Sequence, residues 1–260
     1  MNRIRQSADC PAQVDSCSED ICSEFVSSFE INSATFSPAT SDCPRAVFAP
    51  LHYEPKYAYP LIVWLHGPGI DQRQLLRIMP VISLRNYVAV APQGILTQPR
   101  EDYSWEQTTS HIDQAEQRIF ESIESAAEKY NFSRRKIFLA GFDCGGTMAL
   151  RVAMNNPQRF AGAISLCGHF PCGQKPFGNL AAARRMPVFL AAGRKSEAYT
   201  ESQVCSDLRL LHSAGISITL RQYPYAQEIA PQMLQDMDRW IIEQITAPTQ
   251  SVAETDEYSK

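Results

Sequence analysis

Five short apolar runs punctuate the chain: residues 61–65 (LIVWL), 87–91 (YVAVA), 136–140 (KIFLA), 162–166 (GAISL) and 187–191 (PVFLA). Runs of this length without polar alternation suit strands buried on both faces, as in a parallel sheet covered by helices. Residues 216–223 alternate and stop at Pro224, which predicts a last strand. Between the runs the period changes to three or four. Ile112, Ala115, Ile119, Ile123, Ala126 and Tyr130 put one apolar stripe on a helix. Ser110, followed three residues on by Asp113, predicts its cap. Further helices are predicted over 72–84, interrupted by Pro80, and over 145–155, 202–213 and 231–246, the last with Pro231 in its first turn. Strand and helix alternate throughout. The expected fold class is therefore α/β, a doubly wound, mostly parallel sheet joined by right-handed crossovers.

This texture runs from 45 to 246 and defines the expected domain. Residues 1–44 are rich in Ser, Asp, Glu and Cys without a sustained period, and form a leader. The tail, 247–260, is polar and is expected to be disordered.

Composition narrows the partners. The 260 residues are 44% hydrophobic and 20% charged, with a formal charge of -4, which fits a globular protein. The 24 Lys and Arg residues are scattered, so no basic field exists to hold a phosphate backbone, and nucleic acid is excluded as a partner. No apolar run approaches the roughly 20 residues of a membrane helix, and MNRIRQSADC has no apolar stretch behind its charges. A cytoplasmic protein without membrane insertion is expected. Eight cysteines raise the question of metal or disulfides. Cys10, Cys17, Cys22 and Cys43 lie in the leader and Cys144, Cys167, Cys172 and Cys205 in the body, with no CxxC pair and no histidine at finger spacing. Free thiols and no bound metal are the expectation.

The chemistry concentrates after the third apolar run. There Gly141-Phe142-Asp143-Cys144-Gly145-Gly146 leads directly into a helical pattern. Small residues two before and two after a central position are what a strand-to-helix elbow requires, because the central residue sits in strained backbone with neighbours pressed close. The pattern is GxDxG, where a serine hydrolase has GxSxG. Upstream, LIVWL runs into His66-Gly67-Pro68-Gly69, the place and composition of an oxyanion-hole loop.

With these phrases, and with RAVFAPLHYEPKYAYPLIVWLHGPG, RNYVAVAPQG, YSWEQ and IFLAGFDCGGTMALRVAMNNPQRFAGAISLCG in that order, residues 45 to 246 resemble the α/β-hydrolase superfamily and, within it, the phospholipase/carboxylesterase branch. The resemblance implies an α/β-hydrolase fold. A large cap domain is not expected, since only about 20 residues separate GAISL from PVFLA. It also implies esterase or thioesterase chemistry by a Ser on the elbow, an Asp after a later strand and a His after the last.

Carried over residue by residue, those positions hold Asp143, then Ser196 within Ala192-Gly193-Arg194-Lys195-Ser196, then Gln227 within Tyr223-Pro224-Tyr225-Ala226-Gln227. The oxyanion-hole positions hold Pro68, which has no N–H, and Cys144. A glutamine amide has no basic nitrogen with which to take a proton. Losing a triad Ser or His lowers turnover on the order of a million-fold. The expectation is a cofactor-free, catalytically silent hydrolase fold that serves binding, scaffolding or regulation, its ligand a small molecule or a protein. Two alternatives stay open: Asp143 as a nucleophile with a relocated base, for which His169 after GAISL is the best placed, and a weak residual carboxylesterase. Cys144, one residue past the apex, reads as an inert thiol, and Glu197 as a solvated carboxylate.

Overall fold

Each apolar run becomes a strand of a single sheet. The computed structural model describes residues 43–97 and 102–247. The expectations for the rest of the leader, with Cys10, Cys17 and Cys22, and for the tail beyond Ala247 lie outside the described residues. In chain order the elements are β1 (Arg45–Phe48), β2 (Tyr59–Leu65), α1 (Gln74–Ile82), β3 (Val88–Pro92), β4 (Ile95–Thr97), β5 (Asp102–Ser104), α2 (Thr109–Lys129), β6 (Phe132–Phe142), α3 (Cys144–Asn155), β7 (Gly162–Leu166), α4 (Leu180–Ala183), β8 (Val188–Gly193), α5 (Glu201–Ser213), β9 (Ile218–Tyr223) and α6 (Pro231–Thr246).

The main sheet has seven strands in the order β1-β3-β2-β6-β7-β8-β9. Only β1 runs antiparallel, against β3; the remaining pairs are parallel. Strand residues alternate between two helical layers, so one strand feeds two cores. Leu61, Val63, Leu65 and Leu139 pack with Ile119 and Ile123 of α2 and Met148 of α3. Ile62, Trp64, Phe138 and Ala140 pack instead with Leu75 and Met79 of α1 and Met237 and Trp240 of α6. This is the doubly wound sheet expected from the sequence.

The chain reverses its direction of travel across the sheet at β2 and β6, which are neighbours in register from Leu61↔Ile137 to Leu65↔Gly141. Open α/β sheets present their clefts at such a switch point, beyond the carboxyl ends of the strands. Two loops leave there, one after Leu65 and one after Phe142. Between β7 and β8 the chain holds only the four-residue α4.

Several local expectations change. The cap of α2 is Thr108, in extended backbone, whose hydroxyl accepts from the His111 N–H at 3.3 Å; Ser110 lies inside the helix and accepts from Gln114. Pro80 sits within α1 without ending it. β1 and the small β4–β5 hairpin are additions. Among the described residues no helix is long and apolar enough to cross a membrane.

Candidate active-site cleft

β6 ends at Phe142, α3 begins at Cys144, and the whole change of direction falls on Asp143, at φ 54° and ψ -121°. This is backbone that side-chain-bearing residues adopt at a cost of about 1–3 kcal/mol, so the surroundings must impose it. They do so by contact. A Cβ on Gly145 would collide with the carbonyl oxygens of Leu65 and His66, and one on Gly141 with the carbonyl of Gly145. Gly146 lies against Ser165 in the same way. The Asp143 N–H donates to the Leu166 carbonyl at 2.8 Å, and its carbonyl accepts from the Thr147 N–H at 3.0 Å.

An aspartate at a helix N-cap normally accepts from the free amides of the first turn. Asp143 makes no such bond. Its carboxylate turns into the cleft, where Gln227 Nε2 donates to Oδ2 at 2.7 Å. The other hydrogen of the same Nε2 goes to the Cys167 carbonyl at 2.8 Å. On its far side, Gln227 Oε1 accepts from the Ser196 hydroxyl at 2.5 Å, and Ser196 Oγ accepts from the Tyr199 N–H at 2.9 Å. The loops after β6, β8 and β9 thus bring Asp143, Ser196 and Gln227 into one hydrogen-bonded chain. Both amide hydrogens of Gln227 and its oxygen are engaged, which fixes the amide's orientation.

The loop after β2 is equally occupied. His66 is fully buried; its Nδ1–H donates to the Gly67 carbonyl at 2.7 Å and its Nε2 accepts from the Gly94 N–H at 2.8 Å. Burial holds its pKa below the ordinary histidine range, so the ring is a neutral strut. Pro68 is exposed and has no N–H to offer. The N–H of the next residue, Gly69, is taken by the Tyr103 carbonyl of β5 at 3.1 Å. Cys144 Sγ accepts from the Ser104 hydroxyl at 3.5 Å, and burial raises its pKa. Burial pushes the Cys167 thiol up to about 11. Neither is an activated thiolate.

His169, the relocated base that the sequence suggested, is not hydrogen-bonded to the elbow side chain. It is exposed, and its Nδ1–H donates to the Phe170 carbonyl at 2.9 Å. All five histidines, His52, His66, His111, His169 and His212, fall among the described residues, and none bonds the Asp143 carboxylate. Glu197 is exposed.

Sequence reading missed the supports. Tyr199 donates its hydroxyl to Asp207 Oδ2 at 2.9 Å, and the same oxygen accepts the Phe170 N–H at 2.8 Å, tying α5 to the loop after β7. Arg151 of α3, fully buried, bonds the carbonyls of Cys172 and Gly173 and the Gln107 side chain. No motif announces these residues, because each bond joins segments distant in sequence. Among the described residues no three His, Cys, Asp or Glu side chains converge as metal ligands.

A family model for phospholipase/carboxylesterase matches residues 54–245. The chain belongs to that family. This carboxylesterase-like member also resembles solved structures: the carboxylesterase of Bacillus cereus, at 15% identity over 79% of this chain and 96% of that one with a TM-score of 0.64; a carboxylesterase from Mesorhizobium loti, at 16% over 81% and 99% with 0.65; and SOBER1 of Arabidopsis thaliana, at 20% over 72% and 100% with 0.62. At these identities the likeness establishes the α/β-hydrolase fold. Where the loops after β6, β8 and β9 meet, the chain joins a carboxylate, a carboxamide and a hydroxyl by hydrogen bonds.

Proposed function

We infer that this carboxylesterase-family protein binds through its cleft and does not hydrolyse esters. One observation carries the reading: the partner of the elbow side chain is the Gln227 amide, and none of the five histidines bonds Asp143. Ester hydrolysis on this elbow needs a hydroxyl to attack, a base to deprotonate it and N–H donors for the oxyanion. Here the apex is a carboxylate, the adjoining amide takes no proton at neutral pH, and Pro68 and Gly69 leave that side of the hole without a free N–H. Attack by Asp143 on carbon is the competing reading, favoured by the strained apex that presents its carboxylate, but hydrolysis of the resulting ester requires an imidazole to activate water. The 45–246 domain is the binding module, and the scattering of its Lys and Arg residues without a basic field supports a partner other than nucleic acid.

The test is reconstruction. Wild-type protein and Asp143→Ser should leave p-nitrophenyl acetate untouched and escape a fluorophosphonate probe. Asp143→Ser combined with Gln227→His and Ser196→Asp should give measurable turnover, and Pro68→Ala on top of these should raise it by up to about a hundred-fold. Wild-type turnover of an ester or haloalkane that is abolished by Asp143→Asn would overturn the reading and make Asp143 a nucleophile.

A further inference from the structure

At the edge of the sheet where the parallel strands begin, opposite the cleft, the surface holds a hollow of about 280 Å³. It lies where the chain enters β7 and β8, between Pro157, Phe160 and Ala161 on one side and Ala182 and Met186 on the other. Pro157, Phe160 and Met186 are buried and the two alanines half-buried, so the lining is largely apolar. Its one charge is Arg185, exposed at the rim. Among the described residues no carboxylate lines the hollow, and Arg185 forms no ion pair. Two more exposed arginines adjoin these segments. Arg159 lies over the Phe120 ring, and Arg184 donates to the Ala214 carbonyl at 2.8 Å, so neither guanidinium is bonded to a carboxylate. An apolar hollow with a basic rim selects an apolar group carried beside negative charge.

The chain itself supplies such a group. α6 runs from the cleft edge of the sheet back to this one: Trp240 Nε1 donates to Thr219 Oγ1 near the start of β9 at 3.2 Å, and a Cβ on Gly162, the first residue of β7, would meet the Trp240 ring. The helix ends at Thr246, about 9 Å further along its axis. Residues 248–260, which lie outside the described part, therefore start from the same edge as the hollow. They carry Glu254, Asp256 and Glu257 against Lys260, and Tyr258 is their one aromatic. From Ala247 the chain reaches up to about 36 Å by Tyr258, more than the thickness of the sheet and its flanking helices at this edge requires. We propose that Tyr258 docks in the hollow of its own chain, its ring on Phe160 and Met186 and the Glu257 carboxylate on Arg185, while the polar residues 248–255 span the gap. Tethering by so short a linker gives an effective concentration of the order of millimolar, at which one aromatic ring and one ion pair suffice; the same contact between separate molecules is far weaker. The hollow and Asp143 stand at opposite edges of the sheet, so this docking is independent of what the cleft does.

The experiment compares amide spectra and the Met186 methyl signal of the isotope-labelled full chain with those of Tyr258→Ser, a change outside the 45–246 domain that leaves its folding intact. Differences are expected at residues 157–161 and 182–186 and not at the elbow, 141–147. Backbone order parameters at 256–259 should fall from above about 0.6 in the wild type to below it in the variant. Arg185→Glu should give the same pattern more weakly, and Glu257→Arg added to it should recover part of the wild-type spectrum, which a merely structural role for Arg185 would not allow. Identical signals at 157–161 and 182–186 in wild type and Tyr258→Ser, or low order parameters at 256–259 in the wild type, overturn the proposal. The wild-type signals should also be unchanged on dilution. Signals that move towards those of Tyr258→Ser as the protein is diluted, with a dimer seen by sedimentation, place Tyr258 on a second copy and overturn docking within the chain.

Discussion

At the elbow, backbone meets backbone: Gly141 and Gly145 leave no room for a Cβ because carbonyl groups of β2, of the loop after it and of α3 lie against them. In the cleft a few residues away, side chain meets side chain, and Asp143, Gln227 and Ser196 are held by three polar contacts of 2.5–2.9 Å. The first arrangement tolerates almost no substitution but says nothing about chemistry. The second decides the chemistry, and alternative sets of polar groups could fill the same space. A hydrolase fold can therefore keep its elbow while the groups above it change role.

The comparison breaks most visibly at Gly145. Gly145→Ala should destabilise by about 4 kcal/mol or more, a fall in Tm of roughly 10 °C, because the colliding atoms are backbone and cannot swing aside; a melt within 2–3 °C of wild type, at roughly 2–4 °C per kcal/mol, would show the elbow to be looser than drawn. Next comes Cys167, whose carbonyl receives Gln227 where elbow and cleft meet. Its folded pKa of about 11 exceeds the ordinary thiol value of 9.0. The neutral thiol's contribution is thus complete below about pH 9 and lost as pH rises through about 11, worth on the order of 2–3 kcal/mol. Denaturant melts from pH 8 to 11 should fall less steeply for Cys167→Ala.

Gln227→Leu sharpens the cleft's side of the comparison. It strands the Cys167 carbonyl, the Ser196 hydroxyl and Asp143 Oδ2, and should cost about 2 kcal/mol by urea denaturation, since water reaches part of the loop. The smallest effect is expected from Asp143→Gly. Relief of the φ 54° backbone offsets the lost bond to Gln227, so stability should stay within about 1 kcal/mol of wild type, on the stabilising side. A loss beyond about 2 kcal/mol would mean that the carboxylate itself holds the cleft together.

The strands of the sheet interior were legible because burial on both faces leaves an uninterrupted apolar run, as in 61–65 and 162–166. The elbow was legible because close approach demands glycine at fixed offsets. β1 was not, since the four residues of RAVF carry too little pattern, and the three-residue strands β4 and β5 carry less still. β6 extends four residues upstream of its apolar run, where Phe132 pairs with Tyr59 of β2 and the exposed Arg134 pairs with Glu124 of α2, a polar stretch that no apolar run marks. The α2 cap was misplaced because Thr108, Thr109 and Ser110 can all cap, and the entry angle of the chain chooses among them. The resemblance to the family pointed to Ser196 and Gln227, but not to the bonds that orient them. Those run to the carbonyl of Cys167 and the amide of Tyr199, groups whose identity leaves no trace in sequence.

The orientation of the Gln227 amide has a further consequence. An imidazole in its position would be a conductor, taking a proton on one nitrogen while releasing another from the opposite side. The carboxamide, with its nitrogen turned to Asp143 and its oxygen to Ser196, passes nothing along. The row of atoms from Tyr199 to Asp143 is an insulator between two groups that stand within a relay's reach of each other, and the charge on Asp143 stays where it is.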